Sequence, residues 1–169
     1  MKQILKYILS IVLDNLKMAE NKHGVVLALN SGLIVITVGF FSSAKLVITL
    51  LNWLVILFAS ISIFCCFLGL YARNIKVSQK KNFTEKISLL YYKDLSAMSP
   101  EELLNCIIIN YGLPNNYQYD GFEYDLAKSV IANSKIASKK YFFFNYSILF
   151  LSIAVFIDVI LMLIVGIIN

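Results

Sequence analysis

The sequence predicts an all-α integral membrane protein. Three transmembrane helices, an N-terminal hairpin plus a C-terminal helix, are expected with a cytosolic helical segment between the second and the third. Three observations lead there. Only 15% of the residues are charged and 59% are hydrophobic, whereas soluble domains carry about a quarter charged residues. Three apolar runs are long enough to cross a hydrocarbon core about 30 Å thick. The lysines and arginines also collect on one side of those runs, the pattern that sets membrane orientation.

Residues 1–23 come first. Lys2, Gln3, Lys6, Ser10, Asp14 and Lys17 recur at three- and four-residue steps, and Ile4, Leu5, Ile8, Val12 and Leu16 occupy much of the remaining surface. A signal peptide competes for this stretch, because Lys2 and Lys6 precede a short apolar segment. Asp14, Asn15 and Lys17 then follow with no small-residue cleavage site. The preferred reading is an amphipathic helix lying in the cytosolic interface.

Residues 24–71 are expected to form a transmembrane hairpin. The runs 24–41 and 46–71 hold no charge, and the connection Phe41-Ser-Ser-Ala-Lys45 is short enough to force the second helix back beside the first. Residues 72–140 form the cytosolic segment. There Ser99-Pro100-Glu101-Glu102 is a strong helix start, with a serine N-cap, proline at the first position and glutamate at the third. That helix should run to about Asn110, before Gly112 and Pro114. Leu89 to Leu95 is ambiguous between a short strand and a helix. From Asp120 no glycine other than Gly121 and no proline appears until Gly166, so residues 120–168 can be one helix of roughly 70 Å, at about 1.5 Å per residue. It includes the third membrane run, 141–168, which Asp158 alone interrupts.

Orientation follows from the basic residues. Lys2, Lys6, Lys17 and Lys22 lie before the first run, and the stretch from Arg73 to Lys140 holds ten more, against Lys45 alone in the hairpin loop and none in the tail. The N-terminus and residues 72–140 are therefore expected in the cytosol, and the hairpin loop and C-terminus outside.

The net charge of +5 fits an anionic membrane surface. No nucleic-acid-binding motif accompanies it, so no nucleic-acid polymer is expected as a partner. Cys65 and Cys66 read as small packing residues and Cys106 stands alone, which is neither a disulfide framework nor a metal spacing. His23 has no ligand partner nearby and reads as a surface or interfacial histidine. Neither a glycine-rich phosphate loop nor a nucleophile beside a base appears, so an enzyme is not expected.

Several residues carry both a packing and a functional reading. Gly24, Ala28 and Gly32 stand four apart on one face, flanked by Asn30 and Ser31, and Ala59, Ser62, Cys66 and Gly69 make a similar stripe on the second run. The stripes either close the hairpin or join protomers in a homo-oligomer. Asp158 is the only acidic residue inside a membrane run, and Thr37 should lie at a similar depth. The aspartate either fixes helix packing through hydrogen bonds or lines and gates a path between protomers. Lys128, Lys135, Lys139 and Lys140 anchor the third run at the cytosolic face, or receive a phosphate. Tyr91, Tyr92 and Tyr141 offer faces on which a base can stack.

The order of short segments resembles a known family. Ala19-Glu20-Asn21-Lys22 followed by Leu27-Ala28-Leu29-Asn30-Ser31 is similar to the opening of the Pycsar transmembrane effectors. Tyr91-Tyr92-Lys93-Asp94-Leu95 and Ser99-Pro100-Glu101-Glu102-Leu103 resemble their middle segment. Asp125-Leu126-Ala127, Asn133-Ser134-Lys135-Ile136-Ala137 and Lys139-Lys140-Tyr141 resemble their closing signature. The pattern departs at His23-Gly24, where a small residue is expected first.

The resemblance implies an antiphage-defence effector of the bacterial inner membrane. It would answer cyclic CMP or cyclic UMP by impairing membrane integrity, so that the infected cell dies or stops growing before phage matures. The alternatives are a related effector or sensor answering another nucleotide second messenger, and an accessory membrane subunit with no ligand. Under the family reading Lys135, Lys139, Tyr91 and Tyr92 are the ligand candidates, and Asp158, Asn30, Gly32 and Thr37 the gating or packing candidates. No cofactor is expected. The charge pattern makes one direct prediction: a topology reporter fused after Asn169 reads as periplasmic and one inserted near Asn115 as cytosolic, and a cytosolic C-terminus would overturn the three-span arrangement.

Overall fold

A computed structural model describes residues 1–39, 46–72, 88–114 and 116–168, leaving out the side chains at 46, 47 and 166–168. The described residues form five helices and no strand: α1 (Lys2–Gly39), α2 (Leu46–Tyr71), α3 (Tyr92–Leu95), α4 (Pro100–Asn110) and α5 (Gly121–Ile168). Three of them, α1, α2 and α5, are long and apolar enough to cross a membrane. The expected 41–45 connection, the basic residues Arg73, Lys76, Lys80, Lys81 and Lys86, and Asn115 and Asn169 lie outside the described residues.

The chain divides into two compact units, and α1 and α5 contribute to both. One unit comprises Met1–Ala19 and Ala72–Lys140, the other Glu20–Tyr71 and Tyr141–Asn169. In the first unit the core gathers Leu5, Ile8 and Val12 of α1 with Leu103, Leu104 and Ile107 of α4 and Ala127, Val130 and Ile131 of α5. Leu5, Ile8 and Val12 are wholly buried. This corrects the expectation of a separate interfacial helix over residues 1–23. The apolar stripe there is covered by protein, and the helix continues without a break to Gly39.

The short elements of this unit are set by local chemistry. Ser99 accepts from the Glu102 amide at 3.1 Å while the Glu102 carboxylate accepts from the Ser99 amide at 2.7 Å, closing the capping box that opens α4. At the other end Gly112 takes φ +66, and the Leu113 amide reaches back to the Ile108 carbonyl at 3.0 Å. That is a glycine-dependent helix stop with its return bond. Leu89 and Leu90 form a turn and Tyr92–Leu95 a single helical turn, which resolves the strand-or-helix ambiguity in favour of helix.

Asp120 opens α5 with a second reciprocal cap. Its carboxylate accepts from the Glu123 amide at 2.8 Å and its amide donates to Glu123 at 3.2 Å. The Tyr117 hydroxyl donates to the other Glu123 oxygen at 2.9 Å. The Tyr124 hydroxyl donates to Glu101 at 2.7 Å, tying α5 to α4. Lys2 reaches Asp120 at 2.7 Å, joining the start of α1 to the start of α5.

The Lys2 ammonium, hydrogen-bonded to Asp120, holds that carboxyl below its ordinary value. A carboxyl depressed in the folded state stabilises above its unfolded value, and that contribution is lost as pH falls through the folded one. Asp120→Asn keeps a capping oxygen and removes the charge. Its melting temperature in detergent is expected to fall below the wild type's at pH 7, with the gap closing as the pH drops below about 4. Both side chains are about half exposed, so the gap should also shrink in high salt.

Candidate functional site

The second unit is a three-helix arrangement with a seven-residue rhythm. Along α2 the buried positions are Ile48, Asn52, Val55, Ala59, Ser62, Cys66 and Gly69; along α1 they are His23, Val26, Asn30, Leu33 and Thr37. Alternating steps of three and four put these residues on one seam of each helix, as in left-handed helix bundles. In α5 the seam is Ser147, Leu151, Ala154, Asp158 and Leu161. Contacts fix the register. His23 meets Phe144 edge to face with ring centroids 5.8 Å apart, and Thr37 meets Asp158 at 3.5 Å. The two pairs are equally spaced along both helices, so α1 and α5 run parallel. Contacts of His23 with Gly69 and of Asn30 with Ser62 make α2 antiparallel to them.

The polar members of the seam recur at every seventh residue of α1: His23, Asn30 and Thr37. Seven residues of helix rise about 10.5 Å, so the polar levels stand about two turns apart. At the middle level Asn30 Nδ2 donates to the Val26 carbonyl and to Ser62 Oγ, both at 2.9 Å, and Ser62 Oγ donates to the Ser147 carbonyl at 2.7 Å. One asparagine and one serine thereby bond all three helices. The Asn30 carbonyl oxygen is buried and takes no hydrogen bond.

At the Thr37 level the threonine hydroxyl donates to the Leu33 carbonyl at 2.8 Å, and Asp158 lies 3.5 Å from the same oxygen. Asp158 is 4% exposed. A half-heptad nearer the start of α2 is Asn52, fully buried, with neither amide atom hydrogen-bonded. The apolar part of the seam is made by Val26 and Cys66, by Leu33, Ala59 and Ala154, and by Val55 and Leu151.

His23 is wholly buried, which corrects the expectation of a surface or interfacial histidine. Position 23 falls three residues before Val26 on the inward seam, and Gly69 supplies the space. A methyl group on Gly69 would overlap the imidazole and stand 3.2 Å from Phe143 Cβ. Lys22, one residue earlier, places its ammonium 5.2 Å from the Tyr141 ring centroid and 5.5 Å from that of Phe144. This is the arrangement of a lysine anchored on aromatic faces at a membrane edge.

The structure sorts the candidate residues. Asn30, Thr37 and Asp158 come together in the seam. Gly32 does not: Gly24, Ala28 and Gly32 are exposed on α1, and a side chain added at either glycine would meet nothing within 4 Å. The small residues of α1 therefore do not close the hairpin, whereas Ala59, Ser62, Cys66 and Gly69 of α2 are all buried.

In the first unit Tyr91 and Tyr92 sit side by side, ring centroids 5.0 Å apart. Lys135 and Lys139 stand one turn apart on α5. Lys139 Nζ is buried and makes no hydrogen bond, and Ser134 Oγ is in the same state. Among the described residues no group of histidine, cysteine and acidic side chains suits a metal ion. Sequence reasoning missed Asn52 altogether and read Ser62 only as a small residue; a polar residue at a heptad position was the available signal for both.

Three spanning helices bonded through buried polar side chains define a multi-pass membrane protein. A family model, the Pycsar effector protein domain, matches residues 4–168. The chain belongs to that family, and is thus an antiphage-defence membrane effector. No curated protein and no solved structure matches it.

The close fit of His23 against Gly69 yields a stability test. Gly69→Ala should lower unfolding stability in detergent by about 1–3 kcal/mol, the usual cost of overpacking, and Gly32→Ala should leave it nearly unchanged. A second substitution, His23→Ala, should recover part of the loss; no recovery would mean that the two residues do not share that space.

Proposed function

We propose that this effector responds to cyclic CMP or cyclic UMP by impairing the bacterial inner membrane, so that an infected cell stops growing before phage matures. The N-terminus and residues 72–140 face the cytosol and the C-terminus the periplasm, as the lysine and arginine distribution favours. The observation that carries the ligand assignment is Lys139. Its ammonium is enclosed without a hydrogen-bond partner, and a cation held that way gains most from an anion of the right shape. A cyclic nucleotide supplies one phosphate charge, and Lys135 lies one turn away to share it. The adjacent rings of Tyr91 and Tyr92 offer a face for the pyrimidine.

The response runs along α5, which carries Lys139 in one unit and Asp158 in the other. A ligand shifts such a helix only by binding one of its arrangements more tightly than the other. The exposed stripe of Gly24, Ala28 and Gly32 is the face on which protomers meet, since small residues let helices approach closely in lipid. Asp158 then changes between a closed packing contact and a wetter one.

Two measurements test this reading. Membrane potential is followed after co-expression with an active or an inactivated pyrimidine nucleotide cyclase, and depolarisation is expected only with the active enzyme. Equal depolarisation with both would sink the ligand-gated reading. Binding of cyclic CMP and cyclic UMP to detergent-purified protein is expected to weaken about tenfold or more in Lys139→Ala, the scale of one charge-assisted hydrogen bond, and to be unaffected in Lys6→Ala. Equal binding by the two variants would leave Lys139 as a membrane anchor only.

A further inference from the structure

The seam of the second unit holds more polar groups than its packing satisfies. In hydrocarbon a polar residue at a helix contact ordinarily finds a partner. Here the Asn30 carbonyl oxygen and both amide atoms of Asn52 are buried without one, and the Asp158 contact with Thr37 is long. These groups are not scattered. They lie on the inward seams of α1, α2 and α5, at levels set by the heptad register, with Ser62 and Ser147 filling the middle level. Unpaired groups of this kind are the positions at which buried water is held. The layers that separate them join small residues to larger aliphatic ones: Ala59 and Ala154 with Leu33, and Cys66 with Val26, in a core that also holds Val55 and Leu151. In the closed bundle these apolar layers keep water out, and apolar constrictions of this kind gate by dewetting when helices part.

We propose that each protomer's own three-helix bundle contains a proton path, running from the His23 level past Asn30 and Ser62 to Asp158 and Asn52. The inference rests on the membrane-impairing reading above and names the species that moves. The middle level decides the species. Ser62 Oγ lies 2.9 Å from Asn30 and 2.7 Å from the Ser147 carbonyl. Groups in direct hydrogen-bond contact leave no room for a hydrated metal cation or a solute. A proton needs only a chain of hydrogen bonds: a water accepts it on a lone pair and releases its own proton onward. The Ser62 hydroxyl joins that chain only when it turns from the Ser147 peptide carbonyl, which cannot pass a proton on, to a water. The Asp158 carboxyl takes the proton on one oxygen and gives it up from the other. The asparagine amides hold and orient the waters and are positioning residues. In the closed bundle the two apolar layers interrupt the chain; when they hydrate, protons flow down the membrane's gradient and nothing larger follows.

The experiment uses the full-length protein in liposomes carrying a pH gradient, with a trapped pH-sensitive dye in one set and trapped carboxyfluorescein in another. Cyclic CMP or cyclic UMP should start proton entry without release of carboxyfluorescein. Asn30→Leu and Asp158→Leu should cut that flux at least tenfold while the protein remains inserted. Leu33→Ser, which makes one closing layer polar, should pass protons without nucleotide. Release of carboxyfluorescein at the same nucleotide-dependent rate as protons would overturn the proton path and leave the effector reading standing. Nucleotide-dependent proton flux that survives both Leu substitutions would also overturn it. If wild type is silent with nucleotide while Leu33→Ser conducts, the path is supported and the nucleotide assignment fails. An inserted Leu33→Ser protein that passes no protons overturns the path whatever nucleotide does.

Discussion

A backbone in hydrocarbon has no water to bond, so every amide and carbonyl must be satisfied within its own segment. This constraint shapes α1 and α5 more than any side chain does. Each remains helical through its span and continues helically into the other unit, because nothing in either sequence stops it: neither holds a proline. The same two helices consequently supply the walls of two cores with different demands. In the first unit they bury Leu5, Ile8, Val12, Val130 and Ile131 by the hydrophobic effect. In the second that driving force is absent between helices in lipid, and close packing and hydrogen bonds replace it. The change of chemistry along α1, from leucine and isoleucine on the buried seam to histidine, asparagine and threonine, follows from that change of solvent.

The hydrogen bonds of Asn30 and Ser62 therefore do for the second unit what the leucines do for the first. They specify register as well as adhesion, since a slip of one seam position along α2 would place Ser62 opposite an aliphatic residue. Gly69 opposite His23 and Asp158 opposite Thr37 make the same choice at the two ends. A bundle specified by few polar contacts is also one that a modest force can rearrange.

The parts of this structure legible in the sequence were those decided within a few residues. The Ser99 capping box, the stop at Gly112 and the extents of α2 and α5 needed no knowledge of neighbours. The Asp120-Gly121-Phe122-Glu123 cap was equally local and has the same acceptor-to-glutamate spacing. What the sequence alone did not disclose was which face of a uniformly apolar helix turns inward. Gly24, Ala28 and Gly32 looked like the contact face of α1, but the seam lies instead on His23, Val26, Asn30, Leu33 and Thr37. In α1 nearly every alternative face is also apolar, so the choice falls to partners on α2 and α5. The enclosure of the Lys139 ammonium was hidden for the same reason: a lysine near a membrane edge has an ordinary exposed use, and only its surroundings show otherwise.

The place of α5 after the other helices has a consequence for biosynthesis. Leu5, Ile8 and Val12 are made early yet their core is finished by Val130 and Ile131, and the hairpin must wait for Ser147 and Asp158. Contacts between such distant parts of a chain form late. A ribosome that stalls before α5, or a message cut short there, leaves a product in which neither unit is complete. Such fragments lack both Lys139 and Asp158. Synthesis of α5 is therefore the step on which both cores wait.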